Sequence, residues 1–80
     1  MKQLGTRVQY FGIDLVILHP YVATDKDGAV YNYSSTPEIS DTHRTPGWIS
    51  TNTGEMDYVA KVDLEGMDWK DTLVKFKLED

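Results

Sequence analysis

Tyr21-Val22-Ala23-Thr24-Asp25-Lys26-Asp27-Gly28-Ala29-Val30-Tyr31-Asn32-Tyr33 is the stretch that decides the fold class. Two runs rich in β-branched and aromatic residues flank Asp25–Gly28, where Asp and Gly carry turn chemistry. The pattern predicts a hairpin of strands 21–24 and 29–33. Period 2 then puts Tyr31 and Tyr33 on one face. The same Asp-Lys-Asp-Gly opening resembles a calcium loop, but the EF-hand spacing fails. Gly stands at loop position 4, and Thr36 falls where a bidentate Glu is required.

Upstream, Thr6–Phe11 and Ile13–Leu18 are extended segments joined around Phe11-Gly12. Gly12 supplies the positive φ of a tight hairpin; one long strand bulged at Gly12 is the competing reading. Pro20 lacks a ladder donor, so His19-Pro20 ends the second segment. Downstream, Ser34–Gly47 is polar, holds two prolines and spans 14 residues. Connections of that length are usually functional or mobile, so 34–47 is expected to be a long polar loop. Trp48-Ile49-Ser50 is a short strand and Thr51–Gly54 a turn. Tyr58–Leu64 alternates, with Tyr58, Ala60, Val62 and Leu64 expected on one face.

Asp68 then reads as a helix N-cap, with Asp71 in the first turn and Lys75 and Lys77 late. Trp69, Leu73 and Phe76 fall at i, i+4 and i+7, the spacing of one apolar helical stripe. The expected class is α+β: a small antiparallel sheet of about five strands with one short C-terminal helix packed on it. One helix covers one sheet face, so the other face is expected to be bare.

The chain of 80 residues is one domain by length, carries 13 Asp+Glu against 8 Lys+Arg, and has a net charge of -5. At 40% hydrophobic and 11% aromatic it is too apolar for a disordered acidic tail. There is no Cys, which excludes disulfides and thiolate zinc sites. Residues 1–40 hold four acids and three bases, and residues 41–80 hold nine acids and five bases. The acidic surplus in the second half disfavours nucleic-acid binding, which needs a basic face, and suits a basic partner. A solubilising role for the same acids is the plainer alternative. The segment 1–18 is a poor signal peptide because Gly12 and Asp14 interrupt its apolar run. No stretch approaches a membrane span. A soluble protein of the cytoplasm is the expectation.

Nothing in the spacing builds an active site. His43 lies between Asp41 and Arg44 in the polar loop, and His19 sits beside Pro20. Neither has a positioned nucleophile or oxyanion donor. The pairs Asp63/Glu65 and Asp68/Asp71 fit a solvated strand face and a helix start better than acid–base catalysis. No catalytic residue, metal or cofactor is expected. The aromatics have two readings, as core or as a recognition surface beside acids. Self-association through a bare sheet face is the simpler use of such a surface. A DNA-mimic role would need a denser array of carboxylates than this chain shows.

Ala23–Tyr33, Pro37, Gly47-Trp48 and Val62–Leu73 together resemble small accessory proteins encoded by tailed bacteriophages of enteric bacteria. The likeness runs from Val8 to Lys75 and brings no catalytic residues. It implies a viral protein of the host bacterial cytoplasm that binds and inhibits a bacterial host protein, such as a restriction or CRISPR-type defence component. The expected contact residues are Tyr31, Tyr33, Trp48, Glu55, Asp57, Glu65, Asp68 and Trp69. The alternatives are a homodimeric structural or assembly module and a DNA-mimic-like inhibitor.

Overall fold

Phe11 and Gly12 both have positive φ, 47° and 84°, and they join residues that pair directly, Tyr10 with Ile13. That is a two-residue type I′ turn, whose twist matches the strands it connects. The computed structural model describes residues 5–40, 47–51 and 54–78. The turn makes a hairpin of β1 (Thr6–Tyr10) and β2 (Ile13–Ile17), so the single bulged strand is not formed. The predicted central hairpin is present as β3 (Tyr21–Thr24) and β4 (Ala29–Tyr33). Its turn is closed by the Gly28 amide on the Asp25 carbonyl, with the Asp27 carboxylate accepting from Ala29 N.

The remaining strands are β5 (Glu38–Ser40), β6 (Gly47–Ile49), β7 (Met56–Lys61) and β8 (Val74–Lys75). They form three antiparallel sheets: β1-β2, β7-β4-β3-β8 and β5-β6. Part of the expected 34–47 loop is therefore strand, since Glu38–Ser40 pairs with Gly47–Ile49. Asp41, His43 and Arg44 lie outside the described residues.

The fold is mostly β, which corrects the α+β expectation. Asp68 does cap, accepting a hydrogen bond from Lys70 N, but only a single 3₁₀ turn follows, Trp69–Asp71. Thr72 ends it. Its hydroxyl donates back to the Trp69 carbonyl at 2.7 Å and receives Thr24 N at 2.9 Å. The chain then runs extended along the edge of β3, pairing Val74 with Val22 and Lys75 with Tyr21, and Phe76 N bonds the Pro20 carbonyl. A helix this short gains little alone. The β3 edge offers backbone partners instead. Trp69 and Leu73 consequently pack in one core cluster and Phe76 in another, so the predicted stripe does not exist.

Alternation along β3 and β4 divides the core between the two faces of the central sheet. Val22 and Val30 pack with Tyr10, Leu15 and Ile17 of the β1-β2 hairpin. Ala23 and Tyr33 pack with Trp48 and Trp69. Both faces are thus covered, one by the hairpin and the other by β6 and the 3₁₀ turn. The expected bare face is not there. The cover was missed because period 2 shows which residues share a face but not which strands join one sheet.

A bulge in β7 corrects a second expectation. Val30 opposes Ala60 and Tyr31 opposes Tyr58, leaving Val59 as the extra residue. Tyr58 and Ala60 therefore follow opposite-facing partners rather than sharing a face. The strand ends at Lys61, and Val62 and Leu64 go to different clusters.

Asn32 holds the crossover from β2 to β3. Its buried amide accepts from Leu18 N and His19 N and donates to the His19 and Tyr21 carbonyls, at 2.7–3.0 Å. Every donor and acceptor of the amide is used. Asn32→Leu keeps the branched shape of the side chain but strands these backbone groups. Each group left unsatisfied costs about 1–3 kcal/mol, and a core of this size supplies only about 3–5 kcal/mol in all. Asn32→Leu should therefore fail to give a cooperative thermal transition by circular dichroism; a melting curve close to that of the parent would contradict the role assigned to Asn32.

Candidate functional site

The residues expected to form a contact surface separate into an inner and an outer group. Tyr33, Trp48 and Trp69 are core. The Trp48 and Trp69 rings meet edge to face at 6.4 Å, and Trp48 Nε1 donates to the carbonyls of Thr24, at 3.0 Å, and Trp69, at 3.3 Å. Tyr33 donates its hydroxyl to the Trp48 carbonyl. Tyr31 is half-buried between Tyr33 and the exposed Tyr58. The acids Glu55, Asp57, Glu65 and Asp68 are all exposed. Glu55 and Asp57 come together at His19, whose Nε2 lies 3.4 Å from one carboxylate and 3.5 Å from the other. Asp68 is engaged in capping, and Glu65 stands at a different place.

That place is an open cleft of about 740 Å³ between the tip of the β1-β2 hairpin and the connection from β7 to the 3₁₀ turn. One wall is Phe11 and Ile13; the other is the backbone and side chains of Val62–Met67. At its floor, the Tyr10 hydroxyl donates to the Thr72 carbonyl and lies 2.8 Å from Thr24 Oγ1. The second wall is fixed by a close backbone approach. Val62 N bonds the Gly28 carbonyl, and a Cβ on Gly28 would stand 2.1 Å from the Val62 carbonyl oxygen. Only glycine fits there, and its φ of 92° also favours glycine.

The two walls end in similar turns. Met67 N bonds the Leu64 carbonyl around Glu65 and Gly66, whose φ values are 52° and 85°. Phe11-Gly12 and Glu65-Gly66 are thus both turns with two left-handed residues, and each places a non-glycine residue at the first of them. The Asp63 carboxylate accepts from Glu65 N and holds the second turn. Phe11, Asp63 and Met67 were missed as site residues. A usable signal existed, because Phe is a poor choice for a position where Asn, Asp and Gly dominate.

The buried phenols and the half-buried Asp25 carboxyl serve the fold. Asp25 accepts from Trp48 N at 2.8 Å, and burial raises its pKa, with Asp27 adding to the effect and the Trp48 bond opposing it. Burial also raises the phenols of Tyr33 and Tyr10, with the Asp25 charge a further cause at Tyr33. Among the described residues, no group of three His, Cys, Asp or Glu side chains could hold a metal ion, and no helix is long and apolar enough to cross a membrane. No protein-family model, curated protein or solved structure matches the chain.

The phenol shifts fix the sign of the alkaline response. A proton held more tightly in the folded state stabilises the fold below the unfolded phenol's value of about 10, and this contribution is lost as pH rises beyond it. Tyrosinate absorbance from Tyr10 and Tyr33 should therefore appear together with unfolding, and Tyr33→Phe should move the alkaline transition upward. Asp25 follows the same rule at the other end of the scale. Its raised pKa makes the charged form unfavourable at neutral pH, so Asp25→Asn should be at least as stable as the parent at pH 7 and lose that advantage on acidification. Urea titrations at both pH values measure the difference.

Proposed function

We propose that this chain is a small acidic accessory protein of the bacteriophage type that binds a bacterial host protein stoichiometrically and thereby inhibits or modulates it. The expected target class is a defence component of the restriction or CRISPR kind. The observation that carries the reading is the disposition of the acids. Glu55, Asp57, Asp63, Glu65, Asp68 and Asp71 are all exposed, whereas the buried polar side chains among the described residues are satisfied within the fold. An acidic surface of this kind accelerates encounter with a basic partner and restricts which partners are accepted. The contact surface is narrower than the sequence suggested. Tyr33, Trp48 and Trp69 belong to the core, and the exposed aromatics are Phe11 and Tyr58, 52% and 59% accessible.

A homodimeric module is the second reading. β7 is a terminal strand of the central sheet and carries the exposed Met56 and Tyr58. The Val59 bulge and the charges of Asp57 and Lys61 on that strand are features that discourage edge pairing. The heterologous reading is therefore preferred.

Affinity capture from a bacterial lysate should recover one partner, released as salt rises. A variant carrying Glu55→Gln, Asp57→Asn, Glu65→Gln and Asp68→Asn should melt near the parent temperature and lose capture. The Asn at position 68 retains the capping acceptor. Capture indifferent to both salt and neutralisation, or a dimer by light scattering with no partner recovered, would refute the proposal.

A further inference from the structure

We propose that the cleft between the β1-β2 tip and the Leu64–Met67 turn is a docking groove for a partner segment with an apolar side chain flanked by Lys or Arg. This deepens the protein-binding reading and rests on it. The walls supply apolar surface from Phe11, Ile13, Val62, Leu64 and Met67, while Asp63 and Glu65 are its charged members and none of its lining residues is Lys, Arg or His. Charge complementarity therefore selects a basic segment, and the apolar walls select what that segment must insert. The floor is already closed by the Tyr10–Thr24–Thr72 hydrogen bonds, so polar recognition has to occur at the rim.

The two turns strengthen the assignment. A left-handed backbone is unfavourable for a residue with a Cβ, most of all for a bulky one. Phe11 and Glu65 both accept it, and both line this cleft. Neither is required by its turn, since Asn would satisfy the same geometry with less strain. The Phe11 ring contributes little to the core, being 52% exposed, although its edge contact with Tyr10 at 4.8 Å holds its direction. One turn thus presents an aromatic and the other a carboxylate, at a conformational cost the fold itself does not demand. Residues kept against local stability are characteristic of sites selected for binding.

The test uses the full-length ¹⁵N-labelled protein and a defined probe, the peptide acetyl-Arg-Lys-Leu-Phe-Lys-Arg-amide, with an acidic twin in which Glu replaces every basic residue. The basic peptide should shift the amides of Phe11, Ile13, Asp63–Met67 and Thr72, and the acidic twin should shift none of them. Phe11→Asn should melt at or above the parent temperature and bind the probe roughly tenfold more weakly, as expected on loss of an anchoring aromatic. Asp63→Asn with Glu65→Gln keeps the acceptor for the turn and should remove most of the salt dependence of binding. Shifts centred elsewhere, equal shifts from the acidic twin, no binding, or unchanged affinity in Phe11→Asn would each overturn the groove assignment. The function reading fails separately, by lysate capture, so a cleft that ignores the peptide in a protein that still captures a partner condemns the groove alone.

Discussion

Thr24 is the residue on which the layers converge. Its amide donates to the Thr72 hydroxyl, its carbonyl receives Trp48 Nε1, and its own hydroxyl meets the Tyr10 phenol. β3 is thereby tied to the hairpin on one face, to the β5-β6 ribbon on the other, and to the C-terminal turn at its edge. Thr24 is buried, so none of these groups has water as an alternative partner. The arrangement explains how a chain without disulfides keeps three small sheets in one body. The two-stranded sheets β1-β2 and β5-β6 are too small to be stable alone in water, and Thr24 lies where all three sheets have to be in register together.

Local chemistry was legible in the sequence. The Asp25–Gly28 turn, the Phe11-Gly12 turn, the His19-Pro20 break and the capping role of Asp68 are each decided by a few neighbouring residues. What could not be read depended on distant partners. Asp68 caps a 3₁₀ turn by the same bond that would start an α-helix, and nothing nearby says that the β3 edge will claim Val74 and Lys75. Trp69, Leu73 and Phe76 have helical spacing by coincidence of a turn followed by a strand. The Val59 bulge is equally silent, because its cause is the match of β7 to β4.

The candidate site shows the same division. The Phe11-Gly12 turn could be inferred, yet its position across one cleft from the Glu65-Gly66 turn requires the Val62–Gly28 contact to be known. The acids were named and are exposed, whereas three of the four aromatics named with them are core. Tyr and Trp carry both an apolar body and a polar tip, and here the tips of Tyr33 and Trp48 find backbone carbonyls inside the protein.

The bond from Tyr10 to Thr72 spans 62 positions, and that from Thr24 to Thr72 spans 48. A chain closed by such distant contacts folds slowly compared with one built from local pairs. During synthesis, the first hairpins can flicker into place, but the layers cannot lock until Thr72 has left the ribosome. A protease that removed the segment beyond Met67 would likewise release the whole body rather than trim it. Completion of the turn at Thr72 therefore determines how many folded copies a given amount of synthesis yields.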